Sequence, residues 1–229
     1  MIELVACDMA GTTIDEHADV YRALADSVME TGVQVSPENL QLWMGAEKRE
    51  AITNLIQLGG GVAEEKLVDT TFDRFRQLLL SYYEANPPVA LPGVVEAFEK
   101  LKKQGIKIAL TTGFSRDVAS VLLEELGWKT GEGELLDAVV TADEVAAGRP
   151  APYMIHRVME LTGVRDVTWV IAAGDTVNDL QAATNAGVKA VGVLTGKLGR
   201  EDLERFDHDV ILDGVHQLPE YISHLAVKA

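Results

Sequence analysis

The chain has 229 residues, enough for one sizeable α/β domain or for a domain carrying a smaller inserted one. Its composition, 47% hydrophobic and 24% charged, is that of a soluble globular protein, and no apolar run approaches the roughly 20 residues that cross a bilayer. A formal net charge of -16 repels phosphate backbones and excludes nucleic acid as a partner, so an anionic substrate has to be attracted locally, by a metal or a few placed bases.

In chain order, residues 2 to 7 form an apolar, strand-like run directly behind Met1. With no basic leader or apolar signal core ahead of that run, a cytoplasmic location is expected. Cys7, the one cysteine, has no partner for an internal disulfide and reads as a small packing residue. Residues 16 to 88 read almost wholly as helix. "DVYRALADSVMETG", "SPENLQLWMG", "EKREAITNLIQLGGG" and "AEEKLVDTTFDRFRQLLLSYYEANPP" combine good helix formers with a Ser-Pro-Glu start and Gly or Pro stops. The glycine run at 59 to 61 has no strand before it and no Lys-Ser/Thr after it, so it is a turn and not a nucleotide loop.

"LPGVVEAFEKLKKQG" then brings in a second regime through a Pro-Gly turn and an amphipathic helix. Apolar, β-rich runs at 106 to 112, 136 to 142, 168 to 175, 188 to 196 and 208 to 213 alternate with segments such as "RDVASVLLEELG" and "APYMIHRVMELTG". In those segments apolar residues recur at helical spacing and the last residue is Gly. Strand, helix, strand repeated in this way is a parallel sheet with crossover helices, to which residues 2 to 7 add a strand. The expected fold class is α/β, a Rossmann-like parallel sheet with an all-helical insertion. Residues 1–15 and 89–229 form the core and residues 16–88 the insertion.

Ligands of an open parallel sheet bind where loops leave the carboxyl ends of the strands. Four such positions carry polar residues: Asp8 in "ACDMAGTTID", Thr111 and Thr112 with Gly113, Arg149 behind a Gly, and Asp175 with Asp179 behind "VIAAG". Each alone is ordinary, since Thr-Gly closes many strands and Asp caps many helices. Together, three carboxylates and a backbone carbonyl make an oxygen-rich site suited to Mg2+, which keeps waters and contacts substrate phosphate. Asp8 can attack phosphorus to form an aspartyl phosphate, with Thr112, Arg149 and the amides after Asp8 holding the equatorial oxygens. His17 and His156 lack the spacing of a metal pair, and Trp43, Trp128 and Trp169 read as packing anchors.

"DMAGTT", "LTTGFSRD", "AAGRPAPYM" and "AAGDTVND" resemble, in order and spacing, the haloacid dehalogenase superfamily. The Ala in "DMAGTT", the Arg in "GRPAP" and the segment "MGAEKREAI" resemble its phosphonatase branch, and the likeness spans essentially the whole chain. It implies Asp8 as nucleophile, with Asp8, the Ala10 carbonyl and Asp175 as Mg2+ ligands and Asp179 supporting them. Thr112 and Arg149 would bind the phosphoryl group, and Thr12, Gly113 and Met44 would contact substrate. Residues 16–88 would be a helical cap closing over the site, and the family's tendency is towards homodimers.

Many related enzymes place a second aspartate where this chain has Ala10, to protonate a departing oxygen. A carbon leaving group needs an electron sink instead. Phosphonatases supply one with a cap lysine that forms a Schiff base with the substrate carbonyl, and Lys48 stands at that lysine's position. The chain departs from the branch at Ala51, Phe114 and Met9, where a His, a Tyr and a Trp are usual. A lysine flanked by Glu47 and Arg49 also suits a solvated helix face, or a grip on a substrate anion. The expected function is Mg2+-dependent release of phosphate from a small carbonyl-bearing phosphonate. The alternatives are a phosphatase acting on a small phosphate monoester and a non-catalytic protein that binds phosphorylated metabolites.

Overall fold

The computed structural model describes residues 1–44 and 46–228, with side chains through Leu225. β1 (Leu4–Asp8) is buried along its whole length, which is why it reads as an unbroken apolar run. β2 (Ile14–Asp15) follows a tight turn and leads into four helices: α1 (Asp19–Met29), α2 (Pro37–Leu42), α3 (Lys48–Leu58) and α4 (Glu65–Ala85). β3 (Val89–Ala90) then pairs antiparallel with β2, so the two chain crossings of the insertion lie side by side. Two residues are too few to show period-two alternation, and the sequence carries no sign of this pair. Gly45, where the sequence predicts the stop of the second inserted helix, lies outside the described residues.

The return begins with α5 (Val94–Lys103), β4 (Lys107–Thr112), α6 (Arg116–Glu125) and β5 (Ala138–Thr141). The chain then crosses back through α7 (Tyr153–Thr162) to β6 (Val170–Gly174), α8 (Val177–Ala186) and β7 (Lys189–Val193). It closes with α9 (Arg200–Leu203), β8 (Val210–Leu212) and α10 (Leu218–Lys228). The strands form a six-stranded sheet in the order β5-β4-β1-β6-β7-β8 with parallel pairing throughout. The strand expected from residue 168 starts two residues later. Val167–Trp169 form a 3-10 turn instead, because the Asp166 carboxylate accepts the Thr168 N–H at 2.9 Å.

Alternate residues of β1 serve opposite layers. Val5 and Cys7 pack with Phe98 of α5, Leu122 of α6 and Leu218 of α10. Leu4 and Ala6 pack with Val158 of α7 and Ala183 of α8. The first layer runs on through Met9 and Ile14 into the insertion. There Val20, Leu24 and Val28 of α1, Ile52 and Ile56 of α3, and Phe72, Phe75 and Leu79 of α4 are buried at helical spacing. The insertion and the sheet therefore share one apolar core. Cys7 is buried, as is Trp128, whose ring meets Phe98 edge-on at 6.1 Å, whereas Trp169 is one-third exposed and is no packing anchor. Among the described residues no helix is long and apolar enough to cross a membrane.

Candidate active site

The strand order reverses beside β1, and the loops at the carboxyl ends of β1, β4, β6 and β7 meet there. β1 delivers Asp8 at its last residue. The chain then folds back on Met9, whose carbonyl accepts the Thr13 and Ile14 N–H groups at 2.9 Å, and Thr13 Oγ1 reaches the Asp8 carbonyl at 3.0 Å. Gly11 makes this turn possible. Its φ is +83°, and a Cβ there would lie 2.7 Å from Asp175 Oδ2.

Asp175 follows β6 and is cradled by backbone. A methyl group at Gly196, in the loop after β7, would overlap its carboxylate, and Thr195 Oγ1 ties that loop to the Gly11 carbonyl at 2.6 Å. Asp179 is set by the start of α8. Thr176 N–H donates to its Oδ2 at 3.0 Å and Thr176 Oγ1 at 2.5 Å, while a side chain at Gly174 would collide with it. Asp8, Asp175 and Asp179 are all buried, and one oxygen of each lies within 4.8 Å of the others.

Arg149, 4% exposed, enters between these acids. Its Nη2 lies 2.6 Å from Asp8 Oδ1 and donates to the Thr111 carbonyl at 2.8 Å. Nη1 lies 2.9 Å from Asp179 Oδ1 without the alignment of a hydrogen bond. Burial works against the guanidinium charge, but Asp179 and Asp8 outweigh it and hold Arg149 protonated. Asp8 is pushed up to about 6, by burial first, with Arg149 opposing and Asp179 adding repulsion. Asp175 is pushed well above the usual carboxylate range by burial and by Asp8 and Asp179. Three buried carboxylates facing one guanidinium leave a surplus of negative charge. Together with the Ala10 carbonyl, which accepts no hydrogen bond among the described residues, this donor set fits a hard divalent cation.

The structure places the remaining expected residues as follows. Thr112 is buried at the end of β4, where its hydroxyl accepts the Phe114 N–H at 3.2 Å, and Gly113 is buried beside it. Thr12, expected to contact substrate, donates its hydroxyl to Asp175 Oδ1 at 2.8 Å. The tight turn points it at the neighbouring strand end, so it orients a carboxylate. Met44 is buried, and its carbonyl accepts Asn178 Nδ2 of α8 at 2.7 Å, a bond from a helix flanking the sheet to the insertion that sequence reasoning missed.

Lys48 is the first residue of α3 and is only 4% exposed, so the solvated-face reading is wrong. Gly148 lets the insertion close in, since a Cβ there would sit 3.0 Å from Glu47 Cβ. Lys48 Nζ donates to the Ala46 carbonyl at 2.7 Å and lies 5.8 Å from the centre of the Phe114 ring. Burial lowers it to about 8, helped by Arg149, although Glu47 and Asp8 pull the other way. Ala51 is fully buried in the insertion's core. A cleft of about 590 Å³, lined by Glu47, Arg49, Arg76, Ser115 and Gly148, opens between the insertion and the loops after β4 and β5.

Sequence reasoning also missed Thr195 and Gly196, although "VKAVGVLTG" ends at the same edge as the other strands and the strand-end rule covers it.

The sequence profile of a family described as "Haloacid dehalogenase-like hydrolase" matches residues 5–193. A phosphonoacetaldehyde hydrolase of Bacillus cereus (strain B4264) is 32% identical over 224 residues, covering 90% of this chain and 82% of that protein. A bifunctional phosphonoacetaldehyde hydrolase/aminoethylphosphonate transaminase of Clostridioides difficile (strain 630) is 30% identical over 91% of this chain, which spans only 34% of that longer protein. Among solved structures, a phosphonoacetaldehyde hydrolase-like protein from Oleispira antarctica superposes with a TM-score of 0.83 at 24% identity, covering 99% of this chain and 93% of that one.

Proposed function

The chain belongs to the haloacid dehalogenase-like hydrolases, and from that membership we propose that it releases phosphate from a small phosphonate carrying an aldehyde or ketone. The observation that carries this reading is the pairing of Ala10, where a leaving-group acid would stand, with a buried Lys48 held at about 8. The relatives named phosphonoacetaldehyde hydrolase support it.

In this reading residues 1–15 and 89–229 are the core, and residues 16–88 are a cap that closes over the site. Asp8, Asp175 and the Ala10 carbonyl would hold Mg2+, with Asp179 behind them. The ion would supply charge neutralisation for a dianionic phosphonate next to a carboxylate. Arg149 binds the phosphoryl oxygens, and Thr112 offers its free hydroxyl proton to them. Lys48, as the neutral amine, adds to the substrate carbonyl, and loss of water leaves an iminium. Asp8 Oδ then bonds to phosphorus. The carbon–phosphorus bond breaks, and its electron pair flows into the iminium to give a neutral enamine. Burial beside the Phe114 ring keeps a fraction of the lysine unprotonated at neutral pH.

Phosphate release from a panel of carbonyl phosphonates and phosphate monoesters, with and without a metal chelator, tests the proposal. Chelator-sensitive cleavage of a carbonyl phosphonate such as phosphonoacetaldehyde is expected. Turnover of esters alone would establish the phosphatase reading, and no turnover of either the binding-protein reading.

Two further outcomes follow from the carboxylate geometry. Thr12→Val conserves shape but removes the hydroxyl that orients Asp175. It should raise the Mg2+ concentration for half-maximal activity by about 10- to 100-fold, read from a magnesium titration, with the thermal midpoint little changed. The second concerns stability. Asp8 titrates higher in the folded state than the ordinary 3.8, so without metal its ionisation costs stability as pH rises through about 6. Mg2+ favours the ionised form. The rise in melting temperature on adding Mg2+ should therefore be small below about pH 5 and grow above pH 6, and a pH-independent rise would contradict it.

A further inference from the structure

On the reading above, the second half of the reaction has no evident proton acceptor. Hydrolysis bonds a water oxygen to phosphorus, breaks the bond from phosphorus to the Asp8 oxygen with its electron pair, and releases a proton from the water. Ala10 has no side chain to take that proton. The groups nearest Asp8 are committed elsewhere. Arg149 stays protonated between Asp8 and Asp179, Thr12 holds Asp175, Thr176 holds Asp179, and Lys48 carries the leaving group.

One more carboxyl borders a cavity that reaches Ala10 and Asp175. Glu16, directly after β2, is 4% exposed. It lines a cavity of about 230 Å³ together with Ala10, Gly11 and Asp175, so the position of the absent acid and this glutamate open onto one volume. Its Oε2 accepts the Val20 N–H at 2.7 Å and the Tyr83 hydroxyl at 3.4 Å, whereas among the described residues no donor reaches Oε1. At about 30 Å³ per water the cavity has room for several waters.

We propose that Glu16 takes up, through water in this cavity, the proton released when the Asp8 phosphate is hydrolysed, and so supplies from the first crossing into the insertion what Ala10 lacks. Val20 and Tyr83 hold Oε2 and leave Oε1 for that role. The groups facing Glu16 are Asp19 and Tyr21 on α1, Lys48 on α3, Tyr83 on α4, and Lys197 after β7, with Asp15, His17 and Asp175 around the cavity. Burial raises Glu16 to about 7 despite the Val20 bond, Asp19 adds to the rise, and Tyr83 and Lys197 oppose it. An acceptor titrating there is matched to neutral pH.

Glu16→Gln tests this, because the amide oxygen still accepts the Val20 N–H but cannot take a proton. Rapid-quench kinetics use phosphonoacetaldehyde and p-nitrophenyl phosphate in parallel. Whichever the wild type turns over should give, in the variant, an intact burst of leaving group followed by steady-state phosphate release slowed by about 100-fold or more. Hydroxylamine should convert the accumulated acyl phosphate to a hydroxamate on the Asp8 peptide, read by mass. In the wild type, dephosphorylation should speed up as pH rises through about 7, and Lys197→Met should move that limb to higher pH by removing a charge that favours the carboxylate. The wild-type limb and its shift in Lys197→Met decide the matter even if Glu16→Gln fails to fold. Phosphate release by Glu16→Gln within about threefold of wild type, no trapped adduct, a flat wild-type profile or an unmoved limb overturns the proposal. A wild type inactive only on the phosphonate overturns the carbon–phosphorus reading and leaves the Glu16 test intact on the ester, whereas one inactive on both overturns both.

Discussion

Asp8→Asn is expected to lose phosphate release by about 10⁴-fold or more, some 5.5 kcal/mol of transition-state stabilisation, while the protein stays folded. The amide matches the carboxylate in shape, yet its oxygen is a poor nucleophile and its charge is gone. Removing that charge relieves Asp175 and Asp179 of a like neighbour, and Arg149 keeps Asp179 at 2.9 Å and the Thr111 carbonyl at 2.8 Å. The melting temperature of the metal-free protein should therefore hold or rise. Unchanged folding with activity lost distinguishes a nucleophile from a structural acid. More than about one per cent of wild-type release would rule out an aspartyl phosphate on this residue.

Lys48 carries the second large effect. Sodium borohydride added during turnover of a carbonyl phosphonate should reduce an imine on Lys48 to a stable secondary amine, inactivate the protein and add the leaving group's mass to the Lys48 peptide. Lys48→Arg should lose about 10³-fold or more, because a guanidinium keeps the charge but has no amine to add to a carbonyl. The pH dependence carries a sign. The neutral amine is the reactive form, so kcat/KM should climb as pH rises to about 8, where Lys48 titrates, and level off above it. An arginine variant that works tolerably, with no adduct under borohydride, would make Lys48 a grip on an anion. Ala10→Asp is the complement. A restored acid has no departing oxygen to protonate in carbon–phosphorus cleavage and should not accelerate it, but it should create or raise activity on a simple phosphate ester.

Much of the frame is visible in the amino-acid order. Fully buried strands such as Leu4–Asp8 and Val170–Gly174 are continuous apolar runs because both faces of the sheet are covered. Each acid of the centre closes a strand or opens a helix within a short motif, and Arg149 sits in the short motif "GRPAP", so Asp8, Asp175, Asp179 and Arg149 could be named before any contact was known. The short pairing of β2 with β3 could not, because it brings Ile14 to Ala90 with no local period to announce it.

What the sequence by itself determined is the alternation of strands and helices, the helical insertion and the residues proposed for phosphoryl chemistry, since these are carried by local periodicity and by side-chain type. The tertiary structure alone decided how those residues behave. Thr12 is drawn to a carboxylate 163 residues away. Lys48, between two charged neighbours, is buried because Gly148 lets the insertion close to Glu47 and Phe114 lies over its amine. Glu16 reads as one more acid of an acidic chain until α1 and α4 enclose it. Desolvation depends on every group packed around an atom, and most of those groups lie far off in the chain, so ionisation and proton transfer are properties of the fold that no motif spells out.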